Sequence, residues 1–329
     1  MTYDAGSTSV ALRPGIIPLR PLTLSDIFNG AVIYIRTNPK ATLGLTTVVV
    51  VVSQVIVLAL QAGPLAALGA FDPSLQGEGP SAGALTMFSG GVLAGLLVTV
   101  VANVLLTGLL TVIVGRAVFG GTVGIGLAWQ RLRPRLPALL GLTALQLLAM
   151  LVVGGGAVLA GIAAYAVGGA AAAVLLGMLL ALAILAALFF MTVFLLFAPV
   201  LIVLEELGVF GAIARSFTLV KRGFLRVTGI WLAAFLLSAL LAFAVGAPLN
   251  LVGQAMATPG HGTLFFVGLT LVAIGSSLGQ IVTAPITAGA TVLLYTDRRF
   301  RSEAFDLVLR TGATGPIEST DHLWLARSA

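Results

Sequence analysis

The chain alternates between long stretches without a charged side chain and short segments where basic residues collect. A helix needs about 20 mostly apolar residues to cross the ~30 Å hydrocarbon core of a bilayer. By this measure the charge-free stretches predict six membrane-spanning helices, at residues 43–61, 86–114, 138–160, 170–198, 227–249 and 263–295. The predicted fold class is therefore an all-α polytopic membrane protein.

Two of these spans share one apolar region. Residues 136–204 contain no charge in 69 positions, which is too long for one crossing. The pair Gly168–Gly169 predicts the turn that divides the region in two.

Prolines mark other features of the spans. Pro285 predicts a kink in the last span, where the freed backbone groups need partners, and Thr283 and Thr287 are close enough in sequence to supply them. Span one is predicted to end at Gly63–Pro64, and span five is predicted to end at Pro248.

The basic residues indicate the orientation. All 17 Lys and Arg fall before span one, after span two, after span four or after span six. The opposite loops (64–85, 161–169 and 250–262) hold none. Basic residues collect in cytoplasmic loops, so both termini are predicted to lie in the cytoplasm, at the cytoplasmic membrane. The predicted organisation is a mobile tail (1–21), a six-span domain (22–310) and a C-terminal tail (311–329). The aromatic residues predicted to anchor the interface are Tyr34, Trp129, Trp231 and Tyr295.

Three cytoplasmic segments, 24–45, 123–142 and 208–230, look alike. Each has a moderately apolar helical stretch, then a basic cluster, then a span. In the third, one helical face is formed by Leu207, Phe210, Ile213, Phe217 and Val220. This pattern predicts amphipathic helices in the interface plane and a threefold repeat of interfacial helix plus two-span hairpin. The alternative is that these are ordinary loops that share only their basic character.

Small residues recur inside the spans. Gly91 and Gly95, four residues apart, would let two helices approach closely, either within the chain or between copies. We favour the internal use, because six helices already need packing. Gly154–Gly156 is interpreted in the same way.

Composition excludes several classes of function. With 59% hydrophobic and 9% charged residues, the chain is not a soluble enzyme, a disordered protein or a nucleic-acid-binding domain. It has no cysteine, and its two histidines, His261 and His322, fall on opposite sides of the predicted membrane. No phosphate-binding or hydrolase motif occurs. We therefore expect no catalytic residue, no cofactor, no metal, no nucleic-acid partner and no enzymatic activity.

The candidate binding residues lie at the cytoplasmic interface, where basic side chains contact anionic headgroups. The basic candidates for lipid or protein partners are Arg215, Lys221, Arg222, Arg226, Arg298, Arg299 and Arg301. The acidic candidates are Asp26, Glu205, Glu206 and Asp306. The acidic residues either pair with basic ones and lock the interfacial helices, or form with them a pocket for a headgroup or a partner loop.

Inside the membrane the polar candidates are Gln54, Asn103, Gln146 and Gln280. Such side chains commonly bond across helices, but a broken helix near Gln280 could also mark a cavity. A continuous cavity lined by all four would favour transport.

Three strings carry a family resemblance: IPLRPLTLSDIFNGAVIYIRTNPKATLGL (17–45), AIARSFTLVKRGFLRVTGI (212–230) and LLYTDRRFRSEAFDLVLR (293–310). They resemble the membrane domain named after glycerophosphoryl diester phosphodiesterases, in the stand-alone form found in actinobacteria. The resemblance implies a membrane domain without the catalytic domain of those enzymes. The leading hypothesis is a non-enzymatic membrane protein that organises lipid or a partner protein through its basic belt. The alternative is a permease or a lipid-translocating component.

Overall fold

The computed structural model describes residues 15–18, 20–67, 81–257, 262–303 and 324. Within them the chain forms nine α-helices and no strand, which confirms the all-α class. The helices are α1 (Leu24–Thr37), α2 (Leu45–Ala67), α3 (Ala82–Val118), α4 (Ile125–Leu132), α5 (Leu136–Phe194), α6 (Ala198–Leu204), α7 (Val209–Lys221), α8 (Phe224–Met256) and α9 (Gly262–Glu303).

Five helical segments of the described chain are long and apolar enough to cross a membrane. They are Lys40–Ala66, Ala82–Val118, Ile125–Leu204, Phe224–Met256 and Gly262–Glu303. The count is five rather than six because two predicted spans fall within the third segment, which is 80 residues long. Its long helix α5 is interrupted at Gly169, where φ is 67° and ψ is −164°. That backbone conformation is essentially restricted to glycine, and it occurs at the predicted turn.

The apolar region leaves and returns to the same end of the bundle. Arg135, directly before α5, forms an ion pair with Glu206, directly after α6. An unbroken 59-residue helix would extend for about 90 Å and carry its two ends far apart. The interruption at Gly169 is therefore where the chain reverses.

Two predicted helix ends are wrong. Helix α2 continues through Pro64 to Ala67, and α8 continues through Pro248 to Met256. A proline removes one backbone hydrogen bond but does not oblige a long packed helix to stop. The ring of Pro64 also packs on α3, because a Cβ added at Gly91 would lie 2.5 Å from its Cγ.

The same contact bears on the small-residue predictions. Gly91 and Gly95 both face α2, which confirms their internal use. Gly154–Gly156 is different, since a Cβ at any of these three positions would meet nothing within 4 Å. The prediction of close packing at these three glycines is wrong, because no described atom of another element lies within 4 Å of their Cβ positions.

Helices α8 and α9 approach each other backbone to backbone. A Cβ at Gly253 would lie 2.6 Å from the carbonyl oxygen of Gly268, and one at Gly246 would lie 2.7 Å from that of Gly275. Each helix supplies two glycines seven residues apart, which places both on one face. This pairing makes α8–α9 the most closely approached helix pair that we find.

Helix α1 lies against α9. Thr23 and Asp26 form a capping box at its start. Its buried face consists of Ile27, Gly30, Ala31 and Tyr34, spaced three or four residues apart. The Tyr34 hydroxyl donates a hydrogen bond to the carbonyl oxygen of Pro285, beside the predicted kink. Burial also raises the pKa of Tyr34, so the phenol stays protonated and keeps donating.

The predicted role of the threonines at the kink is wrong. Thr283 and Thr287 donate to the carbonyl oxygens of Gly279 and Thr283, four residues earlier in their own helix. Neither hydroxyl therefore bonds the Ile281 carbonyl oxygen, which Pro285 leaves without a backbone donor. Three short helices, α1, α4 and α7, each precede a long helix and follow an extended N-cap residue, Thr23, Gly124 or Gly208. The threefold repeat stays a prediction.

Candidate functional site

Basic residues from separate parts of the chain meet at one end of the helix bundle, which we call the basic end. They come from the segment before α1, the end of α3, the α4–α5 junction, α7, the start of α8 and the last turns of α9. The members with a described acidic partner are Arg20, Arg135, Arg215, Arg226, Arg299 and Arg301.

A buried carboxylate, Glu205, is at the centre of the first cluster. Its side chain is fully buried and forms an ion pair with Arg215 at 2.5 Å, while the Tyr295 hydroxyl donates to it. Arg299 lies 3.7 Å away. Glu303 closes the cluster by accepting from Arg215 at 2.9 Å and from Arg299 at 3.0 Å. Burial lowers the pKa of Arg215, but Glu205 and Glu303 outweigh it, so the net pKa is raised and the guanidinium stays charged.

A second buried carboxylate, Asp297, was missed by the sequence analysis. It accepts from the backbone N–H of Leu22 at 2.8 Å, from Arg226 at 3.1 Å and from Arg301 at 2.9 Å. The two arginines also donate to the Leu22 carbonyl oxygen. This cluster joins the segment before α1 to α8 and α9. The available signal was an aspartate at the end of an apolar span with an arginine four residues later.

Two other predicted acidic residues make more exposed pairs. Glu206 pairs with Arg135, and Asp26 pairs with Arg20 at 3.2 Å while also capping α1. Asp306 lies outside the described residues. The acidic residues that the structure describes thus all contact basic ones.

Of the three remaining basic residues that were predicted, one is packed within the protein and two are exposed. Arg298 donates from Nε to the Leu219 carbonyl oxygen at 3.2 Å, and its guanidinium lies against Gly223. Lys221 and Arg222, at the turn between α7 and α8, are exposed. Within the described part of the chain neither side chain makes a hydrogen bond or an ion pair.

The prediction of four interface anchors is wrong for both tyrosines. Tyr34 and Tyr295 are fully buried and hydrogen-bonded inside the protein. Trp129 remains exposed, as an anchor should be. The hydroxyl group of a tyrosine near the end of a span needs a polar partner, which can be a lipid headgroup or a group inside the helix bundle.

A cavity of about 150 Å³ opens at the basic end between α3, the α4–α5 junction and α6. Arg116, Arg131 and Arg135 line it together with Glu206 and Trp324. Trp324 is only 3% exposed, its carbonyl oxygen accepts from Arg299 at 2.9 Å, and its ring contacts Phe119 and Tyr295. The predicted site list did not include these three arginines.

Two further cavities, of about 260 and 240 Å³, lie among the spanning helices and share Asn103, Thr107 and Pro199. Gln146 lines the second, and Gln280 donates to the side-chain oxygen of Asn103 at 3.4 Å. Gln54 and Gln280 are themselves absent from both linings. Three of the four predicted polar residues therefore meet, but the described helices do not form a cavity lined by all four.

Within the described residues no group of three His, Asp or Glu side chains is placed to hold a metal. Both histidines lie outside them. Comparisons of the chain with family models, curated proteins and solved structures find no match. The resemblance to the phosphodiesterase-associated membrane domain stays a prediction from the sequence.

Proposed function

We propose that this chain is a non-enzymatic protein of the cytoplasmic membrane that crosses it six times and organises anionic lipid at its basic end. The Arg135–Glu206 pair and the interruption at Gly169 support a hairpin between residues 136 and 204. With that hairpin, both ends of the membrane domain lie on the basic side. The positive-inside rule then assigns that side to the cytoplasm.

The observation that carries the lipid proposal is the surface formed by α7 and the turn after it. Lys221 and Arg222 project there without a described acidic partner. Leu225, in the first turn of α8, is 84% exposed, and Phe210, in the first turn of α7 about three turns before Lys221, is 79% exposed. Exposed aromatic and aliphatic side chains beside unpaired cations are typical of a helix at the headgroup boundary. Each such cation contributes about 1 kcal/mol of attraction to anionic lipid.

Native mass spectrometry of the protein in mild detergent, supplied with equal amounts of phosphatidylglycerol and phosphatidylcholine, tests this. We expect wild type to retain phosphatidylglycerol preferentially, and the double variant Lys221→Gln, Arg222→Gln to lose most of that preference. Arg20→Gln is the matched control, because it removes a cation that is already paired with Asp26. Equal retention of both lipids by wild type, or a stoichiometric protein partner in their place, contradicts the proposal.

The second candidate is a transport component, and the inner cavity lined by Asn103 and Gln146, with Gln280 bonded to Asn103, favours it. Its test is lipid or solute flux in vesicles that contain the purified protein. Transport through these cavities predicts measurable flux that Asn103→Leu abolishes. Flux equal to that of protein-free vesicles removes this candidate.

A further inference from the structure

Helices α1, α4 and α7 each turn one side to the bundle and leave another side exposed. Each of them precedes a long apolar helix, and Asn38 at the end of α1 donates to the Val123 carbonyl oxygen just before α4. The buried sides of α4 and α7 consist of Ala128 and Leu132, and of Ala212, Ser216, Leu219 and Val220. The exposed sides are left to contact the surroundings of the protein.

The exposed side of α7 forms one line along the helix. Phe210, Phe217 and Lys221 are all exposed and lie seven and four residues apart, which places them on one face. The line begins with aromatic side chains and ends at a cation in the last turn. It belongs to the surface that the proposed function assigns to anionic lipid.

Helices α4 and α1 repeat this arrangement in other parts of the chain. In α4 the exposed residues Ile125 and Trp129 lie four apart, and exposed Arg133 follows four residues later with a helical backbone (φ −50°, ψ −41°). In α1 exposed Val32 is followed four residues later by exposed Arg36, in the last turn. Each helix therefore has an exposed apolar side chain or line of side chains that leads to a cation.

The cations at the ends of the three helices share a second property. Arg36, Lys40, Arg133, Lys221 and Arg222 are exposed, and none of their side chains makes a hydrogen bond or an ion pair with the described residues. Exposed apolar side chains with Lys or Arg beside them are typical of helices that contact anionic membrane surfaces. Tryptophan, as at position 129, is enriched at the same boundary. Unpaired cations next to apolar side chains are complementary to a phosphate group above its acyl chains.

We propose that the protein holds anionic lipid at three separate positions, one beside the end of each of the helices α1, α4 and α7. The α7 position rests on the proposed function, and the α1 and α4 positions add two surfaces that the proposed function does not include. At each position the cation contacts the phosphate and the exposed apolar side chains contact the acyl chains. Because the three positions share no residue, each can be removed without the others.

Native mass spectrometry with equal amounts of phosphatidylglycerol and phosphatidylcholine measures the first consequence. The variants are Arg36→Gln with Lys40→Gln at α1, Arg133→Gln at α4, and Lys221→Gln with Arg222→Gln at α7. Each cation removed is expected to lower the preference of its own position for phosphatidylglycerol about fivefold. Only the three sets combined are expected to bring phosphatidylglycerol down to the level of phosphatidylcholine. Arg20→Gln, which removes an exposed cation already paired with Asp26, is expected to behave as wild type.

Trp129 reports on the α4 position directly, because its ring is exposed one turn before Arg133. Trp324 is buried, and Trp231→Phe removes the remaining tryptophan signal. In vesicles, phosphatidylglycerol brominated on its acyl chains is expected to quench Trp129 fluorescence more strongly than brominated phosphatidylcholine. Arg133→Gln is expected to remove this difference, and the α7 double variant is expected to keep it.

The outcomes separate this inference from the proposed function. If the α7 double variant alone removes the whole preference for phosphatidylglycerol, the α1 and α4 positions are wrong and the proposed function stands. If wild type retains both lipids equally, the proposed function fails and this inference fails with it. If both brominated lipids quench Trp129 equally in wild type, or if the difference survives Arg133→Gln, the α4 position is wrong. Melting temperatures in detergent check that every variant is folded.

Discussion

Helices α9 and α5 are both long and apolar, yet they use their surfaces differently. Of its 42 residues, α9 buries 17, and these include Asp297, Arg298 and Arg299. Helix α5 has 59 residues and buries only Leu139, Leu142 and Val193. The more apolar helix is therefore the less buried one.

The difference follows from what drives association inside a bilayer. Leucine and valine side chains gain little by exchanging lipid tails for protein, because both are apolar. Glycines that allow backbone contact, and polar groups that need partners, do distinguish protein from lipid. Helix α9 has both kinds along its length, whereas a Cβ added at Gly154, Gly155, Gly156, Gly161 or Gly177 of α5 would meet no described atom within 4 Å. Hydrophobicity thus predicts where the chain crosses, and small or charged residues decide which crossings pack together.

The largest expected effect is at the buried carboxylate of α9. Asp297→Asn leaves Arg226 and Arg301 beside a neutral side chain in a buried site. Breaking a fully buried ion pair from one side costs about 3–5 kcal/mol, and the lower end of that range applies here because Arg226 and Arg301 are 38% and 36% exposed. We expect a large fall in melting temperature in detergent, or failure to accumulate folded protein.

The control is Asp26→Asn, which alters the more exposed pair with Arg20 and the capping box of α1. Loss of a helix cap costs about 1 kcal/mol. If Asp297→Asn is no worse than Asp26→Asn, the Asp297 cluster does not hold α8, α9 and the segment before α1 together.

The next effect is at the crossing of α8 and α9. Gly253→Val places a branched side chain against the backbone of α9, and overpacking of this kind costs about 1–3 kcal/mol. Gly155→Val in α5 is the matched change, and we expect it to stay within about 0.5 kcal/mol because nothing lies nearby. Thermal unfolding of both variants in one detergent measures the difference. Equal losses would mean that the middle of α5 is packed in the folded protein.

Sequence reasoning found the long apolar helices, because a candidate span needs only length and the absence of charge. It also placed the reversal near Gly169 and the basic clusters at one end. It could not find the Asp297 cluster, since Leu22 and Asp297 are 275 positions apart and no local pattern links them. It likewise placed Tyr34 and Tyr295 at the lipid interface, because burial of a tyrosine depends on a partner in another helix.

The candidate site was predicted in kind but not in detail. The sequence indicates a basic belt, yet it gives the same weight to Arg226, which pairs with Asp297, and Arg222, which has no described partner. It omitted Arg116, Arg131 and Arg135, because the end of α3, helix α4 and the start of α5 bring these arginines together only when the helices are packed. Whether an arginine is paired, exposed or lines a cavity depends on how the helices pack, and the spacing of residues along the sequence does not predict that packing.

A smaller effect is expected where α1 meets α9. Tyr34→Phe removes the hydrogen bond to the Pro285 carbonyl oxygen and leaves the packing intact, at a cost of about 1 kcal/mol. Tyr165→Phe in α5 is the matched control, because Tyr165 is exposed. A stability loss in the control as large as that in Tyr34→Phe would contradict the assigned bond. Thermal unfolding of the two variants, measured side by side, gives the comparison.

The smallest effect is expected on the exposed surface of α5, and it is the sharpest test of the contrast with α9. Leu182 is 67% exposed, so Leu182→Ala should change stability by less than about 0.5 kcal/mol. Leu293 in α9 is fully buried, and Leu293→Ala should cost about 2–5 kcal/mol by opening a cavity. A large loss in Leu182→Ala that depends on protein concentration would mean that a second copy of the chain covers α5. In that case both helices would pack against protein, α9 within its own chain and α5 against a second copy, and α5 would not be covered by lipid.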